Sequence, residues 1–168
     1  VDDRAGRLAI SRRTGAPVVV MPRATGTAAV PVALPAPADP TDALVAWTPA
    51  GDLVVRSFDG GLVWCVSGTG AVRRVGMAAG VVADLAVAPA GPPRVAIAGD
   101  RTVIHALPRS PGNHPKLPPP VDLAVDGQSS GVAWSPDGSL LAVGARSGAV
   151  HLFEAATGAA LGQFAPHE

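Results

Sequence analysis

Apolar residues fall in short runs along the chain, each cut off by a cluster of Gly, Pro, Asp or Ser. Val132-Ala133-Trp134 ends at Ser135-Pro136-Asp137-Gly138, where Pro and Asp-Gly chemistry favours a tight turn. Leu140 to Gly144 is the next run, closed by Arg146-Ser147-Gly148. Val150-His151-Leu152 follows with period-two alternation, and Thr157-Gly158 turns the chain toward Leu161 to Phe164. Runs of this kind joined by short turns predict an antiparallel meander of three or four strands. No segment sustains a 3.6-residue period between helix caps, so the pattern predicts an all-β chain.

The meander recurs. Thr25-Gly26, Thr69-Gly70 and Thr157-Gly158 place their glycines 44 and then 88 residues apart, and Trp47 and Trp134 are 87 apart. A period near 44 residues therefore runs through the chain. Four copies carry it: Gly6 to Gly26, Val45 to Gly70, Leu85 to Leu107 and Val132 to Gly158. The first aligns with Gly138 to Gly158 and lacks its opening strand. Repeats of this length are single supersecondary units that must stack to bury their apolar faces. The expected units span residues 1–34, 41–78, 81–121 and 128–166.

These units resemble the WD-repeat (tryptophan-aspartate repeat) β-propeller family, most clearly over residues 131–158. Ser135-Pro136-Asp137-Gly138 is similar to that family's turn after the innermost strand. Phe153-Glu154, Trp64-Cys65 and Met21-Pro22 stand where the family has its Trp-Asp pair, although no copy has the pair itself. Asp59 matches the acidic residue of the turn before the third strand, Asp100 is its equivalent in the third copy, and Ser147 replaces it in the last. The Gly-His that opens a family repeat is missing before Val45, Leu85 and Val132. The resemblance implies a β-propeller of about four antiparallel four-stranded blades, the first incomplete, with degenerate repeats of bacterial type. Rings of this class have about four to eight blades. An open ring would expose an apolar face of a kind rare on soluble monomers. The expectation is thus part of a larger ring, closed by the remaining blades of a parent chain or by another copy. A quinoprotein-type propeller fits less well, because Trp64 precedes Thr69-Gly70 instead of following it.

Proline punctuates two stretches. Pro108 to Pro120 is expected to replace the turn and outer strand of the third copy, since Pro removes ladder donors. Pro108 and Pro111 satisfy P-x-x-P, the spacing of peptides that dock in aromatic grooves. The favoured reading is a solvated insertion between blades. Pro31 to Pro40 reads as a linker between the first two.

Composition narrows the partners. Thirteen basic and thirteen acidic residues balance, so no net field draws nucleic acid or an anionic membrane. The basic residues are almost all Arg, a bias of GC-rich bacterial genomes. The single Cys65 excludes an internal disulfide framework and fits a reducing compartment. No apolar stretch is long enough for a transmembrane helix. No signal peptide is visible ahead of Val1-Asp2-Asp3, and a cytoplasmic location is expected.

A search for chemistry yields no catalytic, cofactor-binding or metal-binding set. His105, His114, His151 and His167 lie in different repeats or loops without metal-ligand spacing. Cys65 has no partnering His and reads as a small buried apolar residue. Asp59-Gly60-Gly61 is not followed by a helix, which a phosphate cradle needs. Asp59 and Asp137 are turn residues, and Asp84 is the one ionisable neighbour of the innermost strands Val45-Ala46-Trp47, Leu85-Ala86-Val87 and Val132-Ala133-Trp134. Arg12-Arg13 and Arg73-Arg74 are too short for a nucleic-acid stripe.

The resemblance implies binding through turns and channel faces. It nominates Phe58, Arg101, Arg146 and Gln128 as protein contacts, exposed aromatic and Arg side chains being the strongest contributors to interfaces. The expected function is a non-catalytic scaffold for other proteins or peptides, one module of a larger bacterial signalling or regulatory protein. The rival is a propeller enzyme, such as a quinone-dependent dehydrogenase or hydrolase with its site at the channel mouth.

Overall fold

The computed structural model describes residues 7–10, 19–22, 30–31, 43–56, 61–67, 71–77, 80–109 and 116–164. These residues form short antiparallel strands with almost no helix. The chain divides by its contacts into two units, Val1–Met77 and Ala78–Glu168.

In the first unit, β1 (Arg7–Ile10), β2 (Val19–Pro22) and β3 (Val30–Pro31) make a three-stranded sheet. Pro31 pairs with Val19 in that sheet, so the stretch from Pro31 is not linker from its first residue. A four-stranded sheet follows, ordered β4 (Leu44–Trp47), β5 (Leu53–Arg56), β6 (Leu62–Val66), β7 (Val72–Met77). Leu53, Val55, Leu62, Trp64 and Val66 form its core with Ala43, and Val45, Trp47 and Val72 pack against them.

The second unit contains two four-stranded sheets. One is β8 (Val82–Val87), β9 (Arg94–Gly99), β10 (Thr102–Ala106), β11 (Val121–Leu123). The other is β12 (Ser129–Trp134), β13 (Leu140–Ala145), β14 (Val150–Glu154), β15 (Ala160–Phe164). The sheets meet with β12 beside β8 and β9. Ala96, Ile104 and Leu123 of one join Leu141, Val143, Phe153 and Ala155 of the other in a single core. Three four-stranded sheets and a shorter first one match the expected meanders and are consistent with a partial β-propeller.

One expectation is corrected. The Pro-rich segment does not replace the outer strand of the third copy, because β11 follows it directly and pairs Val121 with Ile104 and Leu123 with Thr102. The strand was hidden because it is short and sits immediately behind three prolines. Leu123, 6% exposed, anchors it in the shared core.

The repeated turn chemistry has a repeated cause. The Gly51 N–H donates to the Thr48 carbonyl at 2.9 Å, as the Gly138 N–H does to the Ser135 carbonyl at 2.9 Å. Each hydroxyl also accepts a following amide: Thr48 Oγ1 from Asp52 N at 3.0 Å, and Ser135 Oγ from Leu140 N at 2.9 Å. Gly51 and Gly138 sit at φ 84° and 71°, a region other residues enter at a cost. The Thr-Gly marker works similarly. The Ala159 N–H donates to Thr157 Oγ1 at 3.1 Å while Gly158, at φ 76°, gives its N–H to the Glu154 carbonyl at 2.8 Å.

Two of the positions aligned with the family's tryptophan, Trp64 and Phe153, fall on third strands and are buried in cores. Trp64 on β6 is 7% exposed and Phe153 on β14 is fully buried. Truncating such a ring costs about 3–5 kcal/mol.

Candidate interaction surface

Antiparallel order sends alternate connections of the second unit to opposite ends of its sheets. The β9–β10 turn (Asp100-Arg101), the β11–β12 loop (through Gln128) and the β13–β14 turn (from Arg146) share one end. Three of the four nominated residues therefore lie on one rim, far apart in sequence. Phe58 and Asp59 lie outside the described residues.

Arg101 is exposed, and its Nη2 donates to Asp122 Oδ1 at 2.6 Å. The Gln128 Nε2 amide donates to Asp100 Oδ1 at 2.6 Å, spanning the two sheets, and the Gln128 main-chain carbonyl accepts the Arg146 N–H at 2.8 Å. Asp100 Oδ2 in turn accepts the Val81 N–H at 2.9 Å. Gln128 thus orders the rim, whereas Arg146 is exposed and projects a cation from a well-formed turn. Exposed ion pairs such as Arg101–Asp122 contribute little to stability, about 0–1 kcal/mol, and remain free to exchange partners.

Behind the rim, polar groups link the sheets. Ser129 Oγ accepts the Gly99 N–H at 3.2 Å, donates to the Gly99 carbonyl at 3.1 Å and lies against Thr102 Oγ1. Asp84 ties the two sheets of the second unit together. Its Oδ1 accepts the Leu85 N–H at 2.8 Å and its Oδ2 accepts the Val132 N–H at 3.0 Å, across the sheets. Trp134 Nε1 donates to the Ala86 carbonyl at 3.0 Å. Sequence patterning offered no signal for Ser129, whose role depends on partners 27 and 30 residues away on the neighbouring sheet.

The other reactive side chains are accounted for by packing. Cys65 is buried, and desolvation, helped by Asp52 and opposed by Arg73, pushes its thiol up to about 12. His105 is buried on β10, and desolvation lowers its basicity although Asp122 opposes the shift. His151 is buried on β14 with its ring stacked on Phe153, centroids 6.3 Å apart. His114 and His167 lie outside the described residues. No group of three His, Cys, Asp or Glu side chains suited to a metal occurs among the described residues. Among them, no helix is long and apolar enough to cross a membrane.

The two four-stranded meanders of the second unit pack on one shared core, the arrangement of a repeat protein. Residues 121–168, spanning β11 to β15, match the model of the anaphase-promoting complex subunit 4 WD40 domain. Over these residues the chain is similar to a WD40 domain, in keeping with the turn chemistry of its last repeat. A comparison with curated proteins finds no match. WD40 domains are in general non-catalytic scaffolds that mediate protein–protein interactions.

Proposed function

We propose that this chain is a non-catalytic scaffold that binds other proteins or peptides through the rim bearing Arg101, Gln128 and Arg146. Phe58 is the corresponding candidate of the second repeat. The reading extends to a module of a larger bacterial signalling or regulatory protein in the cytoplasm, with neither nucleic acid nor membrane as partner. The balanced charge of the chain supports that exclusion. The remaining blades of a parent chain, or another copy, would complete its ring.

The observation that carries the proposal is how the ionisable groups are used. Asp84 and Asp100 are engaged by backbone amides and by Gln128, while Arg146 and the Arg101–Asp122 pair face solvent on one rim. That distribution suits recognition better than proton transfer.

The test is affinity purification of the full-length parent protein with quantitative mass spectrometry, comparing wild type with R101E/R146E. Selective loss of a defined partner is the expected outcome; an unchanged partner set would sink the rim assignment. Stoichiometric binding of Ca²⁺ or a quinone cofactor by the purified protein would turn the reading to a propeller enzyme.

A further inference from the structure

The end of the second unit opposite the rim carries the Pro-rich connection between β10 and β11. Lys116 is exposed, Leu117 is half-buried, and Pro118, Pro119 and Pro120 are all exposed. The ladder with β10 begins only at Val121, so the three prolines stand outside the sheet. Immediately behind them Val121 and Leu123 are held in the shared core. The run is therefore exposed and tethered at its C-terminal end.

We infer that Pro118-Pro119-Pro120 is a docking ligand for a protein domain with an aromatic-lined groove. Three adjacent prolines fix φ near −65° and favour the polyproline II helix, which repeats every three residues with its carbonyls facing outward. Such a segment loses little conformational freedom on binding, and the β11 anchor reduces that loss further. Its pyrrolidine rings fit between aromatic side chains, and its carbonyls accept hydrogen bonds from them. Exposed Lys116, ahead of the run, selects a groove with acidic residues at one end and so fixes the direction of docking. A plain connection from Ala106 to Val121 needs reach and polarity. It has no need of three rigid apolar rings held in water beside a strand. The inference is independent of the rim reading, since the two features lie at opposite ends of the sheets.

The test titrates the full chain against purified SH3, WW and EVH1 domains by calorimetry, these being the domain classes that read polyproline. At least one domain binds with one-to-one stoichiometry. P118A/P119A/P120A weakens that binding by about tenfold or more. P108A/P111A and R101E/R146E leave it unchanged. Circular dichroism and melting of the triple variant check the fold, and Pro119→Asp, a single change outside the ladder, gives the same loss of binding if the triple variant melts early. The inference is overturned if no domain binds, if these variants bind like wild type, or if the loss follows P108A/P111A.

Discussion

The Arg94 guanidinium lies 5.2 Å from the centre of the Trp134 ring, stacking a cation of the third repeat on an aromatic of the fourth. The same group donates from Nη2 to the Gly138 carbonyl at 2.8 Å and from Nη1 to the Ala155 carbonyl at 2.5 Å. One side chain thus ties two turns of the last sheet to β9. Burial lowers the basicity of Arg94, yet both carbonyls compensate for lost water.

Arg94→Ala removes two charge-assisted hydrogen bonds and a cation–π contact. Each such bond is worth about 1.5–3 kcal/mol and the ring contact about 0.5–1 kcal/mol. Because the three contacts share one side chain and do not add, a net loss of about 2–4 kcal/mol is expected in urea unfolding. Arg94→Lys recovers only part of it, because an ammonium cannot reach both carbonyls as a planar fork. Equal stability of wild type and Arg94→Ala would refute the lock.

Glycine tolerance separates conformation from contact. Gly127, at φ 81°, has open space where a Cβ would stand, so Gly127→Ala should cost only about 1–2 kcal/mol of backbone strain. At Gly138, φ 71°, a Cβ would clash with the Ala90 carbonyl oxygen. Gly138→Ala should therefore melt clearly below Gly127→Ala. The reverse order would contradict the packing of the two turns.

Asp137 makes a pH prediction. Hydrogen bonds from Ser135 and from the Ser139 amide and hydroxyl hold its carboxyl down at about 2, from an ordinary 3.8. A depressed folded value means that its contribution is fully present above 3.8 and lost as pH falls toward about 2. Wild type and Asp137→Asn should differ in stability at neutral pH and converge below that window. An NMR titration midpoint near 4 for Asp137 would refute the account.

The Cys65 thiol, buried and raised to about 12, should be almost entirely protonated near neutral pH. Alkylation by iodoacetamide at pH 8 is expected to be slow in the native protein and rapid in urea. Equal rates in the two conditions would place the thiol outside the core.

Much of the architecture is readable from local chemistry. Trp47-Thr48-Pro49 and Trp134-Ser135-Pro136 each announce a strand end and a hydroxyl-supported turn, because turn preferences act over a few residues. Alternation also predicted β14, and β13 buries every second residue as a sheet covered on one face should. The pattern failed where neighbours intervene. β5 is buried at all four positions, and β9 from Val95 to Gly99, without alternation, since both faces are covered. Arg56, inside β5 at 2% exposure, was not singled out at all.

Sequence alone determined the repeat length, most of the strands and the turns, since each depends on steric preferences of adjacent residues. Tertiary structure alone decided which repeats share a core and which polar groups meet. Arg94 finds Gly138 at a separation of 44 residues, while Asp84 finds Val132 and Ala86 finds Trp134 at 48, each about one full repeat away. Contacts at that range depend on how twisted sheets stack, and no local preference along the chain encodes that.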